Sequence, residues 1–127
     1  MIYYPRKNKN TVCDKERKMY NDGLRLSKEG GRLVAALECE IDHHTAGELR
    51  SRIDREIFVS KPSLLEMDFR AVKFMDSSGL SLIVGRVETM SAIGGVVVIS
   101  NMGGNLKKLL RLSGIDRLRG LTVEGEV

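Results

Sequence analysis

The chain is poor in cysteine and in long apolar runs, and each shortage excludes a class of protein. Its 127 residues include two cysteines, Cys13 and Cys39. A chain of this length can bury an adequate core without covalent crosslinks, so two thiols predict no disulfide framework, and we expect both to be reduced. The leading segment has no apolar run of signal-peptide or membrane length, because residues 2–4 are followed at once by Pro5 and charged residues. We therefore expect a cytoplasmic protein without a membrane partner.

An excess of one charge sign is also missing from most of the chain. The net charge is +4; residues 1–22 contribute six basic and three acidic side chains, whereas residues 23–127 contribute fifteen and fourteen. The basic residues of the leading segment are Arg6, Lys7, Lys9, Lys15, Arg17 and Lys18. The sequence thus predicts a flexible basic N-terminal arm over residues 1–22 and one near-neutral domain over residues 23–127. A near-neutral domain does not favour a nucleic-acid partner.

The hydrophobic pattern predicts an α/β fold. Residues 24–28 and 33–37 are strand-like and are separated by Gly30 and Gly31, which predicts an opening β-hairpin. Further strands are expected at 64–69, 96–99 and 121–123. Helical spacing is found at Ala46, Leu49, Ile53 and Ile57, then at Leu80, Ile83, Val84, Val87 and Met90, and finally at Leu106, Leu109 and Leu110. This alternation predicts a mixed β-sheet with flanking helices, in which the later strands are parallel and joined by right-handed crossovers.

Residues 74–80, F-M-D-S-S-G-L, bring a carboxylate, two hydroxyls and a glycine to the predicted start of the second helix. Helix capping alone can account for Asp76 and the serines, because the first turn of a helix has unpaired N–H groups. Serine hydrolysis would need a base beside the serine, and the flanking residues are not G-x-S-x-G. A phosphate-binding loop would need a lysine after the glycine, and Leu80 stands there.

A second polar segment, residues 39–45, precedes the first predicted helix. Asp42, or Thr45 with Glu48 three residues later, can cap this helix. Cys39, His43 and His44 lack a fourth ligand and any recognised zinc spacing. The two adjacent histidines are expected to diverge and to serve as capping or surface groups. The sequence therefore predicts no catalytic residue, no metal and no cofactor.

The remaining hypothesis for residues 74–80 is that a serine accepts a phosphoryl group. A phosphate at the start of a helix would face the positive end of the helix dipole and free backbone N–H groups, so the fold should survive the modification. The surface would change, because a phosphate adds between about −1.5 and −2 of charge. One modified residue could therefore switch the binding of a partner.

Two segments together, E-I-D-H-H-T at 40–45 and F-M-D-S-S-G-L at 74–80 followed by Gly85 and Arg86, resemble the STAS domain of bacterial anti-anti-sigma factors. The resemblance is closest to the sporulation-type antagonist of an anti-sigma kinase and runs from about Leu24 to Leu121. It implies a mixed sheet flanked by helices, with the regulatory serine at the start of the second helix. The family commonly has a glycine where this chain has Cys39, so the local turn is expected to differ.

The resemblance also implies roles for particular residues. Ser77 matches the phosphoacceptor and Ser78 its neighbour, and Asp42 matches a position on the surface that contacts the kinase. Partner binding is thus expected at Asp42 and along residues 76–79, namely Asp76, Ser77, Ser78 and Gly79.

In this scheme the protein is not an enzyme. The unphosphorylated form binds an anti-sigma factor, which is also an ATP-dependent serine kinase, and the sigma factor is released. Phosphorylation of Ser77 ends the interaction, and a metal-dependent serine phosphatase restores it. Two alternatives remain open: a STAS scaffold or sensor module that binds other STAS proteins or a membrane-transport protein, and a nucleotide-binding or hydrolysing domain.

Overall fold

The structure, a computed structural model, describes residues 23–125 and forms a two-layer α/β sandwich. The predicted N-terminal arm and the last two residues of the predicted domain lie outside the described residues. In chain order the elements are β1 (Leu24–Glu29), β2 (Arg32–Leu37), α1 (Ala46–Ser60), β3 (Leu64–Asp68), α2 (Ser77–Ala92), β4 (Val96–Ser100), α3 (Gly104–Ser113), a short 3-10 helix (Ile115–Arg117) and β5 (Leu121–Val123).

The five strands form one mixed sheet whose spatial order follows the chain order. The antiparallel pair β1–β2 is the predicted hairpin, and β2 through β5 are parallel. Each crossover advances by one strand in the same direction, so right-handed connections place α1, α2 and α3 on one face of the sheet. The predicted mixed sheet with flanking helices is confirmed.

The core lies between this face and the helices. Alternate strand residues point into it, as the period of two requires, and they are fully or almost fully buried: Leu33, Ala35, Leu37, Leu65, Met67, Val97, Ile99, Leu121 and Val123. On the helix side, Leu49, Ile53 and Ile57 of α1 are buried, as predicted.

The buried face of α2 differs from the predicted one. Leu80 and Val84 are half-buried, whereas Leu82 and Arg86 are buried and were not predicted to be. The reason is the position of α2, which packs against both α1 and the sheet, so its covered face is wider than one apolar stripe.

The parallel strands determine where the polar segments lie. The carboxyl ends of β2, β3 and β4 meet at one edge of the sheet, here called the carboxyl edge. The connection after β2 contains Asp42, and the connection after β3 leads into Ser77 at the first residue of α2. Segments separated by more than thirty residues in the sequence are thereby brought to the same edge.

Candidate functional site

Backbone hydrogen bonds join the two polar segments directly. Ile41 and Met75 form an isolated parallel bridge. The Ile41 N–H donates to the Phe74 carbonyl at 3.1 Å, and the Asp76 N–H donates to the Ile41 carbonyl at 3.1 Å. Because Asp42 follows one half of this bridge and Asp76 the other, the turn before α1 and the N-terminus of α2 form one surface.

The Asp42 side chain organises the turn before α1. One carboxylate oxygen accepts the N–H groups of His44 at 2.8 Å and Thr45 at 3.2 Å. In return, the Thr45 hydroxyl accepts the Asp42 N–H at 3.1 Å and donates to the Glu40 carbonyl at 2.9 Å. Of the two predicted capping residues, Asp42 therefore holds the turn, and the hydroxyl of Thr45 makes no capping bond to α1.

These bonds change the acidity of Asp42. The N–H of His44 is the main reason that the pKa of the carboxyl lies below its usual value of 3.8; desolvation opposes this effect, and the N–H of Thr45 and the neighbouring imidazoles add to it. Asp42 is consequently a carboxylate at neutral pH and contributes a fixed negative charge to the surface.

The predicted divergence of His43 and His44 is wrong. Their ring centroids are 4.0 Å apart with a tilt of 38° between the rings. Both residues belong to the turn that Asp42 holds, not to a helix, so the usual angular separation of helical neighbours does not apply. Within residues 23–125, no group of three or more His, Cys, Asp or Glu side chains is arranged to hold a metal ion.

The second half of the site is the N-terminus of α2. Asp76 is extended and acts as the N-cap: its carboxylate accepts the Ser78 N–H at 2.7 Å, and its carbonyl accepts the Gly79 N–H at 2.9 Å. Ser77 is the first helical residue, and its side chain is exposed. The expectation that free N–H groups would receive a phosphate here needs correction, because Asp76 already uses the first two N–H groups after Ser77.

Gly79 allows α2 to begin close to the bridge. A Cβ atom at this position would lie 2.6 Å from the sulfur of Met75 and 2.9 Å from its Cβ. Met75 is itself buried and is the residue that pairs with Ile41. The glycine is therefore required by the close approach of the helix to the connection that precedes it.

A groove of about 250 Å³ lies between the N-terminal halves of α1 and α2. Small side chains form much of its lining, and Arg50 supplies a cation. The lining residues are His43, Ala46, Gly47, Arg50, Ser78, Ser81 and Leu82. Ser78 thus faces the groove, whereas Ser77 is not among its lining residues. Arg50 was not predicted, because a single basic residue on an exposed helix face carries no signal in one sequence.

Farther along the same two helices, Arg86 joins α2 to α1. Its side chain is almost completely buried, and its Nε lies 2.9 Å from a carboxylate oxygen of Asp54. Burial lowers the pKa of the Arg86 guanidinium, and the charge of Asp54 opposes this change. Among the described residues, neither Nε nor one terminal nitrogen of the guanidinium has a hydrogen-bond partner, so the contact with Asp54 is an ion pair without an aligned hydrogen bond. Sequence reasoning does not find such a residue, since arginine is rarely buried.

The structure therefore brings four of the five predicted site residues, Asp42, Asp76, Ser77 and Ser78, to one surface at the carboxyl edge. The fifth, Gly79, is buried against Met75, so its predicted place on the partner-binding surface needs correction. Whether they bind a partner stays a prediction. In the part of the chain that the structure describes, no helix has the length and apolar character needed to cross a membrane.

Comparison with known proteins agrees with this fold. The family model of the STAS domain matches residues 24–124, and the chain belongs to this family. Among its relatives, an anti-sigma F factor antagonist of Lysinibacillus sphaericus is 29% identical, over 70% of this chain and 87% of the relative. An anti-sigma F factor antagonist of Paenibacillus polymyxa is 28% identical, over 75% of this chain and 81% of the relative.

Solved structures give the same picture. The anti-sigma factor antagonist SpoIIAA in its unphosphorylated form matches with a TM-score of 0.60 and 28% identity, covering 76% of this chain and 98% of SpoIIAA. The Bacillus cell fate determinant SpoIIAA in its phosphorylated form matches with a TM-score of 0.63 and 27% identity, covering 81% of this chain and 92% of that structure. The predicted resemblance to anti-anti-sigma factors is confirmed.

Proposed function

We propose that this chain is an anti-sigma factor antagonist that is switched by phosphorylation of Ser77. The unphosphorylated form binds an anti-sigma factor that is also a serine kinase, and this binding releases a sigma factor. The observation that carries the proposal is the exposed Ser77 hydroxyl at the first residue of α2, on the surface that the Ile41–Met75 bridge joins to Asp42. Relatives named anti-sigma F factor antagonist, and a related antagonist solved in a phosphorylated form, support it.

The local structure suits a serine that is modified without damage to the fold. The helix N-terminus is capped by Asp76 and does not depend on the Ser77 hydroxyl, for which no hydrogen bond to another described residue is found. A phosphate at this position lies at the positive end of the helix dipole, which is favourable by about 0.3–1 kcal/mol. We therefore expect phosphorylation to leave the free energy of unfolding nearly unchanged and to act on the surface alone.

The effect on binding follows from desolvation. The unphosphorylated surface carries a neutral hydroxyl beside two carboxylates, those of Asp42 and Asp76. A phosphate adds about −1.5 to −2 of charge at this point. If the partner covers the surface with apolar or acidic groups, burial of the phosphate costs several kcal/mol, which lowers affinity by orders of magnitude.

Catalysis and ATP then belong to the kinase, and a metal-dependent serine phosphatase restores the binding form. In this scheme the chain itself acts in the cytoplasm as a binding protein, with no catalytic residue and no cofactor of its own. The partner-binding residues are Asp42, Asp76, Ser77 and Ser78, and the buried Gly79 supports them by letting α2 begin close to Met75.

The test is phosphorylation by the cognate anti-sigma kinase with ATP, followed by peptide mass spectrometry. We expect phosphate on Ser77 alone. Ser77→Ala should remove the label and bind the kinase constitutively, and Ser77→Asp should bind weakly. Ser78→Ala is the matched control, because it removes the neighbouring hydroxyl and keeps the backbone N–H that Asp76 binds. Label on Ser78, or equal affinity of Ser77→Ala and Ser77→Asp for the kinase, would contradict the proposal.

A further inference from the structure

The edge of the sheet opposite the candidate functional site, where β2 through β5 begin, is here called the amino edge. Each helix runs back from the carboxyl end of one strand to the start of the next, so α1, α2 and α3 all end there. The Ser63 N–H donates to the Gly31 carbonyl at 2.8 Å, and the Val96 N–H donates to the Ser63 carbonyl at 3.1 Å. The Val97 N–H donates to the Gly120 carbonyl at 2.8 Å. The hairpin turn and the connections before β3, β4 and β5 thus form one continuous surface.

Exposed apolar side chains are concentrated at the amino edge. A Cβ at Gly95 would lie 3.3 Å from the Pro62 carbonyl oxygen, so the connections that follow α1 and α2 lie against each other. Of the six large apolar side chains that are exposed within residues 23–125, only Phe74 lies at the carboxyl edge. Single exposed apolar residues need no explanation, whereas a concentration of them at one end of the molecule indicates a docking surface. The other five, here called the apolar patch, are Phe58, Val59, Ile93, Val96 and Leu112.

The same edge has a surplus of positive charge. The segments 28–32, 55–64, 91–97 and 111–120 hold seven basic and three acidic residues, whereas the other described residues hold eight basic and ten acidic ones. The positive charge of the described domain is therefore located at the end that also exposes the apolar patch. The basic residues are Lys28, Arg32, Arg55, Lys61, Arg111, Arg117 and Arg119, and the acidic ones are Glu29, Glu56 and Asp116.

Ion pairs remove only a small part of this surplus. Lys28 and Glu56, whose charged atoms are 3.0 Å apart, both belong to the amino edge and neutralise each other. Arg32 pairs at 2.9 Å with Glu66, which lies outside these segments. A surplus of three positive charges remains after both pairs are counted.

A cation and an exposed aromatic ring are in direct contact within the apolar patch. The Lys61 ammonium is 4.6 Å from the centre of the Phe58 ring and donates to the Phe58 carbonyl at 2.9 Å. It therefore offsets the partial negative charge that the last carbonyls of α1 carry. Apolar and cationic groups are thus interleaved on one surface, which is the pattern of groups that bind at a lipid–water interface.

We propose that the amino edge docks on a bilayer surface that contains anionic lipids. Such a surface matches both properties of the edge, because apolar side chains enter the boundary between headgroups and acyl chains while basic side chains stay among negative headgroups. A second copy of the chain does not match, since two edges with the same surplus of charge would repel each other. Docking leaves the carboxyl edge facing away from the bilayer, so the surface that contains Ser77 stays open to a protein partner. The inference does not rest on the proposed function.

This proposal differs from the sequence-based expectation that the protein has no membrane partner. That expectation rested on the lack of an apolar run in the leading segment. Docking at a bilayer surface requires no such run, because side chains from several segments supply the apolar area. Only the fold brings the ends of α1, α2 and α3 together at one edge.

The first test uses the full chain and depends on its lack of tryptophan. Phe58→Trp places a single fluorescent reporter in the apolar patch, and Phe74→Trp places one at the carboxyl edge as the matched control. With vesicles of phosphatidylcholine and phosphatidylglycerol at low salt, the emission of Phe58→Trp should shift to the blue, and added salt should reverse the shift. Vesicles of phosphatidylcholine alone should cause a much smaller shift. The emission of Phe74→Trp should not change, because its surroundings stay in water.

The second test removes charge from the amino edge. Lys61→Gln with Arg119→Gln, made in the Phe58→Trp chain, should lower the affinity for the mixed vesicles roughly tenfold at low salt. The matched control, Arg70→Gln with Lys73→Gln, removes the same charge from the connection after β3 at the carboxyl edge and should leave the affinity unchanged. All four side chains are exposed, so we expect each variant to keep the fold.

Four results would overturn the proposal. The first is an emission of Phe58→Trp that does not shift with the mixed vesicles, or that shifts no more than that of Phe74→Trp. The second is an equal loss of affinity in the two charge variants. A shift caused by polyglutamate but not by vesicles would assign the amino edge to an acidic protein partner, and a shift that follows protein concentration without lipid would assign it to a second copy. Phosphorylation by the kinase has no part in these measurements, so the proposed function stands or fails separately.

Discussion

Gly79 provides the sharpest test of how the site is built, because α2 contains a second glycine that serves as its control. Gly79→Ala adds a Cβ with three atoms of Met75 within 3.0 Å, whereas a Cβ at Gly85 on the same helix meets nothing within 4 Å. Overpacking costs about 1–3 kcal/mol, and replacing a helical glycine by alanine returns up to about 1 kcal/mol. The expected net loss for Gly79→Ala is therefore about 1–2 kcal/mol, and Gly85→Ala should gain about 0.5–1 kcal/mol.

Urea unfolding at neutral pH measures both free energies, and Tm should shift by roughly 3–5 °C per kcal/mol for a chain of this size. Because the backbone of Met75 pairs with Ile41, Gly79→Ala should also move the amide NMR signals of Ile41 and Asp76, and Gly85→Ala should not. If Gly79→Ala proved as stabilising as Gly85→Ala, the close approach of α2 to Met75 would be refuted as the reason for the glycine.

Two further predictions concern charged groups. Asp42 accepts the N–H groups of His44 and Thr45, and its pKa in the folded chain lies below 3.8. Its contribution to stability is thus present above pH 3.8 and is lost as the pH falls through the lower pKa of the folded chain. In urea melts at a series of acidic pH values, the difference in unfolding free energy between the wild type and Asp42→Asn should therefore shrink over that range. A difference that stays constant with pH would contradict this role of Asp42. Asp54→Ala leaves the Arg86 guanidinium buried without the carboxylate that pairs with it. We expect this change to lower the free energy of unfolding by about 2 kcal/mol, after allowance for the partial exposure of Asp54. Arg86→Met leaves Asp54 in contact with solvent and should cost less in the same melts; the reverse order would argue against the burial of the ion pair.

Most of the fold could be predicted because its signals are local. The glycines between β1 and β2 predict a turn, and the change from strand spacing to helical spacing predicts a change of element. Both signals depend on backbone geometry over only a few residues. The errors occur where an element has more than one neighbour. The covered face of α2 includes Leu82 and Arg86 because α1 and the sheet both contact it, and one helix in isolation gives no sign of the second contact.

The site shows the same division. The residue types in 40–45 and 74–80 could be found in the sequence, and the resemblance placed Asp42 on the surface that contacts the kinase. Three details could not be found there: the contact between the rings of His43 and His44, the engagement of the first α2 N–H groups by Asp76, and the position of Arg50 in the groove. Each depends on the conformation of a turn or on the packing of two helices.

The sequence by itself determined four properties, because each depends on composition or on local spacing. They are the small number of cysteines, the basic leading segment, the order of the elements and the polar residues before α1 and α2. Only the tertiary structure decided that Ile41 pairs with Met75, that Gly79 must approach Met75 closely, and that Gly23 lies against Cys39. The physical reason is that parallel strands align their carboxyl ends, so that residues distant in the chain meet at one edge of the sheet.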